Sequence, residues 1–200
     1  VLQAAEELGY RPNLVARNLA ERRTRTLGVL VSDLHNPFFA VILDAMQSAA
    51  RERGLRILMG SGRRDSGEEA EVLESFLQQD VEGVVLLSPV VSRDDLARAA
   101  ESVPTVVTGT TDIRVPHCDV IISDDQVAGE LVVGHLLELG HTRIAYIDAQ
   151  SGPGAGERRA GYLGAMERHG LEPAIAAGEF TEDGGYRGGR ELLAQPALPT

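Results

Sequence analysis

The chain contains no lysine: all 19 of its basic residues are arginine. A phosphate-binding loop of the GxxxxGK[ST] type is therefore excluded, since its lysine must reach the phosphates. The glycine-rich stretch Ser151-Gly-Pro-Gly-Ala-Gly156 does not replace it, because it neither reads GxGxxG nor follows a first strand. It reads as a turn. A single cysteine, Cys118, rules out an internal disulfide and suits a reducing compartment. Its neighbour His117 makes no catalytic pair with it, because adjacent strand residues point to opposite faces. The five histidines (35, 117, 135, 141 and 169) show no metal-ligand spacing, so no metal site is expected. No apolar run reaches the ~18 residues of a membrane span, and no basic-then-apolar leader opens the chain. With no nucleophile constellation either, neither an enzyme nor a cofactor is expected, and the expected location is the cytoplasm.

What is present is an alternation. Apolar runs rich in valine and isoleucine fall at 27–32, 55–60, 83–88, 104–108, 119–123 and 143–148. Helical patterns lie near 37–53, 67–79, 92–101, 126–139, 156–169 and 185–194. Repeated βα units predict an α/β fold with a parallel sheet and helices on both faces. Val84-Val-Leu-Leu87 does not alternate polar with apolar, as suits a strand covered on both sides. Asn36 before Pro37 predicts a capped helix start. Gly54, Gly140 and Gly170 follow helical stretches and predict left-handed helix ends.

The net charge of −11 argues against nucleic acid as a partner, but its distribution does not. Residues 1–25 hold five arginines against three glutamates, a surplus of two, which leaves −13 on the remaining 175 residues. An acidic body with a basic arm repels DNA in general while offering phosphate contacts at one end. Within the arm, residues 13–21 read as about two helical turns that Asn13 can cap, too short to be stable alone in water. A plain linker helix, packed on the body through Leu14, Val15 and Leu19, is the other reading of the same residues.

The arm reads Gly9-Tyr-Arg-Pro-Asn13, then Ala16-Arg-Asn-Leu-Ala20, then Thr26-Leu-Gly-Val-Leu-Val-Ser-Asp33. Further on come Asp80-Val-Glu-Gly-Val-Val85, Ser123-Asp-Asp125, Leu139-Gly-His-Thr-Arg-Ile144 and Arg158-Arg-Ala-Gly-Tyr162. In wording and order these motifs resemble the LacI/GalR family of bacterial repressors. The resemblance implies periplasmic-binding-protein-like, two-lobed parallel sheets, the second lobe incomplete, preceded by a short helical DNA-binding and hinge segment. It divides the chain into the end of a helix-turn-helix headpiece and a hinge helix (1–25), an N-terminal subdomain (26–141) and the start of a C-terminal one (142–200). The implied partners are operator DNA, a small polar effector such as a sugar or nucleobase, and a second copy of the chain, paired through the first subdomain and the hinge helices. Leu19, with Ala16 beside it, matches the residue that wedges a base step open in the minor groove. Arg17, Arg22, Arg23 and Arg25 would meet phosphates and groove edges, and Tyr10, Arg11 and Asn13 would position the backbone.

Ligands of open α/β sheets sit beyond the carboxyl ends of the strands. Asp33, His35, Asn36, Pro37, Phe38 and Phe39 follow the first such strand, Asp124 and Asp125 the fifth, and Arg158 the sixth. The resemblance gives effector roles to Asn36, Pro37, Phe38, Asp124 and Arg158, and to Phe180 as an aromatic cover. Asp125 stands where the family usually has asparagine. A carboxylate, a guanidinium fork and an aromatic face together suit a small polar ligand. The same residues have structural readings: core packing for Phe38 and Phe39, helix capping for Asp124, and a salt bridge to Glu157 or Glu182 for Arg158. The expected function is an effector-controlled transcriptional regulator; the alternative is a solute-binding protein of the same architecture, which would have no use for a basic hinge helix.

Overall fold

The computed structural model describes residues 18, 20–21, 23–34, 36–109, 114–150 and 152–200. Seven strands and six further helices follow the first described turn. They are β1 (Thr26–Val31), α1 (Pro37–Glu52), β2 (Arg56–Ser61), α2 (Ser66–Gln78), β3 (Gly83–Leu87), α3 (Arg93–Ser102), β4 (Thr105–Thr108), β5 (Cys118–Ile121), α4 (Asp125–Glu138), β6 (Ala145–Asp148), α5 (Ala155–Arg168), β7 (Ala174–Ala177) and α6 (Glu182–Leu193). One sheet has the order β2-β1-β3-β4-β5 and another pairs β6 with β7. β1 runs parallel to β2, and β6 to β7. Of the described residues, those within Val1–Leu86, Val90–Thr105 and Val115–Cys118 form one compact unit. Those within Leu87–Pro89, Val106–Arg114 and Asp119–Thr200 form a second.

The expected alternation of strand and helix is present, with one strand more. β7, Ala174-Ile-Ala-Ala177, lies outside every predicted strand. Its three alanines carry little β preference, and only pairing with β6 makes it a strand. Coverage on both faces holds for β1 and β3 and fails at the sheet edges, where β5 leaves Ile121 exposed. Asn36 caps α1 as expected, its Oδ1 accepting the Phe38 amide at 3.0 Å. Gly54, Gly140 and Gly170 all take positive φ after their helices, also as expected.

In the first unit, Val29, Leu30 and Val31 of β1, Leu73 and Phe76 of α2, Val84 and Leu86 of β3, and Leu96 of α3 are all buried and belong to the core. Among them lies a carboxylate. Glu69, in the first turn of α2, is 0% exposed. It accepts the Ser32 hydroxyl at 2.5 Å and the amides of Val90 and Val91 at 2.7 and 2.8 Å. A buried charge survives only when its lone pairs are used, and these donors use them.

In the second unit, Val133 of α4, Ile144, and Tyr162, Ala165 and Met166 of α5 form the core. The Tyr162 hydroxyl donates to the Ile144 carbonyl and accepts the Ala174 amide, both at 2.9 Å, so it ties the starts of β6 and β7 together. Helices α4 and α5 touch backbone to backbone. A Cβ on Gly129 would lie 2.6 Å from the Arg158 carbonyl oxygen, and one on Gly161 would strike the Gln126 carbonyl. Glycine at both positions lets α4 approach the start of α5, which carries Arg158.

Glu69→Ala is expected to lower the unfolding free energy by about 2–4 kcal/mol, because the buried Ser32 hydroxyl, the buried Val91 amide and the half-buried Val90 amide lose their acceptor. Glu69→Gln keeps one acceptor oxygen and should fall between the two. Urea unfolding of the three proteins measures the order; an alanine variant as stable as the parent would show the network to be dispensable.

Candidate functional site

In the second unit the chemistry gathers past the carboxyl ends of the strands. Asp148 ends β6, the glycine-rich turn leads into α5, and Phe180 follows β7. Arg158 stands in the first turns of α5. Its Nε donates to Asp125 Oδ1 at 2.9 Å, and its guanidinium carbon lies 5.7 Å from the centre of the Phe180 ring. One guanidinium is thus held by a carboxylate in its plane and an aromatic ring across its face. Gly154, at φ +70°, abuts both groups: a Cβ there would strike the Asp125 carboxylate and lie 3.2 Å from Arg158 Nη2. Left-handed backbone and close approach both call for glycine there.

A second arginine–aspartate pair lies beside the first. Asp148, 3% exposed, accepts the Gln150 amide and Arg159 Nη1, each at 3.0 Å. Gln150 takes φ +58°, a conformation uncommon outside glycine, and in it the backbone N–H donates to Asp148. Burial, and secondarily the Asp148 carboxylate, push the phenol of Tyr146 above its ordinary range. Burial does the same to Tyr162, with the Ala174 amide pulling the other way.

The residues expected at the site fall into two groups. Asp124 caps α4, its Oδ1 accepting the Val127 amide at 3.0 Å, while the next residue, Asp125, reaches Arg158. The guanidinium therefore pairs with Asp125, where Glu157 or Glu182 had been the sequence alternatives. Asp125 and Arg158 are 33 residues apart, and neither helical period nor strand alternation foretells the pairing. Asn36 is engaged in capping α1, Phe39 is buried, and Phe38 stands 62% exposed with its ring centre 5.5 Å from that of Phe39. These belong to the first unit. Of the arm, Tyr10, Arg11, Asn13, Ala16, Arg17, Leu19 and Arg22 lie outside the described residues. Asn18, Ala20 and Glu21 are helical. Arg23 is described, and its guanidinium pairs with Glu82 at 2.7 Å.

Parallel strands, βα crossovers, and charged and aromatic groups past the strand ends are the plan of periplasmic-binding-protein-like domains. Residues 24–200 match the family described as periplasmic binding proteins and sugar binding domain of the LacI family, and the chain belongs to it. It is 30% identical to the HTH-type transcriptional regulator GalR of Escherichia coli K12, over 98% of this chain and 58% of that protein. It is 31% identical to AscG of the same strain, over 98% of this chain and 61% of that protein. The chain thus spans about three fifths of these curated relatives. Among solved structures, a LacI transcriptional regulator from a Rhodococcus species superposes with TM-score 0.76 at 32% identity, over 87% of this chain and 65% of that one. The lac repressor dimer bound to operator and the anti-inducer ONPF gives TM-score 0.80 at 26% identity, over 99% of this chain and 61% of that one.

Asp125→Ala is expected to release Arg158. In a two-dimensional NMR spectrum the Arg158 Nε–H signal should be visible and slow to exchange in the parent, and broadened or absent in the variant. A sharp, slowly exchanging signal in both would mean that Asp125 does not hold the guanidinium.

Proposed function

We propose that the chain is part of a DNA-binding transcriptional repressor whose operator affinity is set by a small polar effector. The observation that carries this reading is the joining of an arginine-bearing arm to a domain of this family. The arm holds five of the 19 basic residues in its 25 positions, while the rest of the chain is strongly acidic. On this reading Leu19, with Ala16, wedges the minor groove, Arg17 and Arg22 meet phosphates, and Tyr10, Arg11 and Asn13 set the register. The effector residues are Asn36, Pro37 and Phe38 from the first unit and Asp124, Arg158 and Phe180 from the second, with Asp125 added as the group that aims Arg158. The chemistry suits a hydroxyl-rich ligand: carboxylates accept from hydroxyls, the guanidinium donates in a fixed fork, and an aromatic face covers a sugar ring. A cytoplasmic location follows from the proposed operator partner.

Dimerisation belongs to the same reading. Only Phe39 and Ala50 of α1 are buried, and Val41 stands 73% exposed beside Phe38. So apolar a helix face, left open on a chain whose DNA site requires two-fold symmetry, suits a second copy.

The reading is tested on the full-length natural protein. Selection from a random duplex library should return a two-fold symmetric site, and a thermal-shift screen of sugars and nucleosides should find a ligand that changes affinity for that site. Arg158→Ala should weaken that ligand by at least about tenfold, the loss of one or two charge-assisted bonds, with DNA affinity in its absence unchanged. A protein that binds the ligand but no duplex would be a solute-binding protein instead.

Sedimentation tests the pairing. The parent should be dimeric at micromolar concentration, and Val41→Asp should shift it towards monomer. A parent that stays monomeric removes α1 as an interface.

A further inference from the structure

Residues 23–25, between the helical turn and β1, are fastened to the turn that precedes β3. Arg23 donates Nε to Glu82 Oε1 at 3.3 Å and Nη2 to Oε2 at 2.7 Å, so the guanidinium and carboxylate meet as two forks. The Arg25 amide donates to the same Glu82 Oε1 at 2.8 Å. The Thr24 hydroxyl donates to the Asp80 carbonyl at 2.6 Å. From the other side, the Arg56 amide donates to the Arg25 carbonyl at 2.8 Å, and Arg56 Nη2 to the Thr24 carbonyl at 3.0 Å. The Glu82 amide closes the ring by donating to the Thr26 carbonyl at 2.7 Å. Asp80 takes φ +50° as the residue that follows the end of α2, and Arg25 takes φ +51°, a conformation that costs a non-glycine residue about 1 kcal/mol or more and persists where its surroundings enforce it.

We infer that Glu82 is a positioning residue for the DNA arm, and that Arg23 serves as its fastener in place of a phosphate ligand. An exposed ion pair holds nothing in place by itself and is worth ~0–1 kcal/mol. This one differs in two respects. Glu82 is 22% exposed in its side chain and accepts three N–H groups, one of them a backbone amide, so it fixes the course of the chain as well as a charge. The fork requires the flat guanidinium, which lysine cannot supply. Both partners register the pairing: the bonds from Arg23 and then from the Arg25 amide hold the Glu82 carboxyl below its usual range, and Glu82 raises Arg23. A phosphate would have to displace a carboxylate already seated in the fork. What Glu82 supplies is direction: by holding residues 23–25 it sets the course of the chain between the arm and β1.

This inference rests on the proposed regulator function, and two measurements on the full-length protein separate them. The first uses selected operator DNA. Glu82→Ala, Arg23→Ala and Arg23→Lys should each weaken operator binding, by about tenfold for the alanine variants, and the Glu82→Ala/Arg23→Ala double variant should lose no more than either single one. Effector affinity should be unchanged, and the salt dependence of Glu82→Ala should match the parent's. The inference is overturned if Glu82→Ala leaves operator binding unchanged or tighter while Arg23→Ala makes the salt dependence shallower by about one phosphate contact, for Arg23 is then a phosphate ligand. The second is hydrogen exchange at the Arg25 amide of the free protein, expected to be at least about tenfold faster in Glu82→Ala than in the parent. Equal rates would show that Glu82 fixes nothing. A parent that binds no duplex refutes the regulator reading and this inference's DNA role together, whereas equal exchange rates with operator binding intact refute the inference alone.

Discussion

A carboxylate with no access to water holds the first unit at the end where strands turn into loops. Glu69 sits in the first turn of α2, where the helix amino end favours negative charge. Its oxygens are used by Ser32, just after β1, and by Val90 and Val91, beyond β3. The end of β2 closes on the same turn, since a Cβ on Gly62 would lie 2.6 Å from the Glu69 amide nitrogen. Three neighbouring strands therefore finish against one side chain. Apolar packing places the strands in a sheet but leaves the loops beyond them undirected. Hydrogen bonds to a buried charge are stronger and more directional than neutral ones, and they decide where those loops begin.

Much of this was open to reading from the sequence, and the rest failed for physical reasons. Strand and helix alternate because βα units bury apolar runs in a parallel sheet, and that patterning is local. Caps such as Asn36 are local too, since the acceptor and the amide it serves are two residues apart. β7 was missed because Ala174-Ile-Ala-Ala177 has no strand character apart from its neighbour β6. Glu69 was missed because its neighbours Glu68 and Glu71 look the same in sequence, and only α2's packing against the sheet turns one of the three inward. The seven DNA-contact residues of the arm that lie outside the described residues remain expectations drawn from resemblance.

The site shows how finely such expectations must be resolved. Asp124 and Asp125 are adjacent and chemically alike, yet one serves the helix and the other the arginine. A cap must stand just outside the first turn, where the backbone is not yet helical. The next residue is already in the helix, on a face turned about 100° away. In α4 that face looks toward α5, brought close by Gly129 and Gly161, so its carboxylate meets Arg158. The glycines thus matter to the site although they carry no chemistry.

The same two strands are pinned at both ends. At their amino ends, Glu82 binds the chain entering β1 to the turn entering β3. At their carboxyl ends, Glu69 binds the residue leaving β1 to the loop leaving β3. Between the two carboxylates, β1 and β3 are neighbours in the sheet, and Val29, Leu30, Val31 and Leu86 are 0% exposed. Six residues of strand span ~20 Å. A close-packed element tied at each end does not stretch or slide by degrees; it moves as a body or not at all. Between Glu69 and Glu82, β1 therefore leaves no room for gradual deformation along its length.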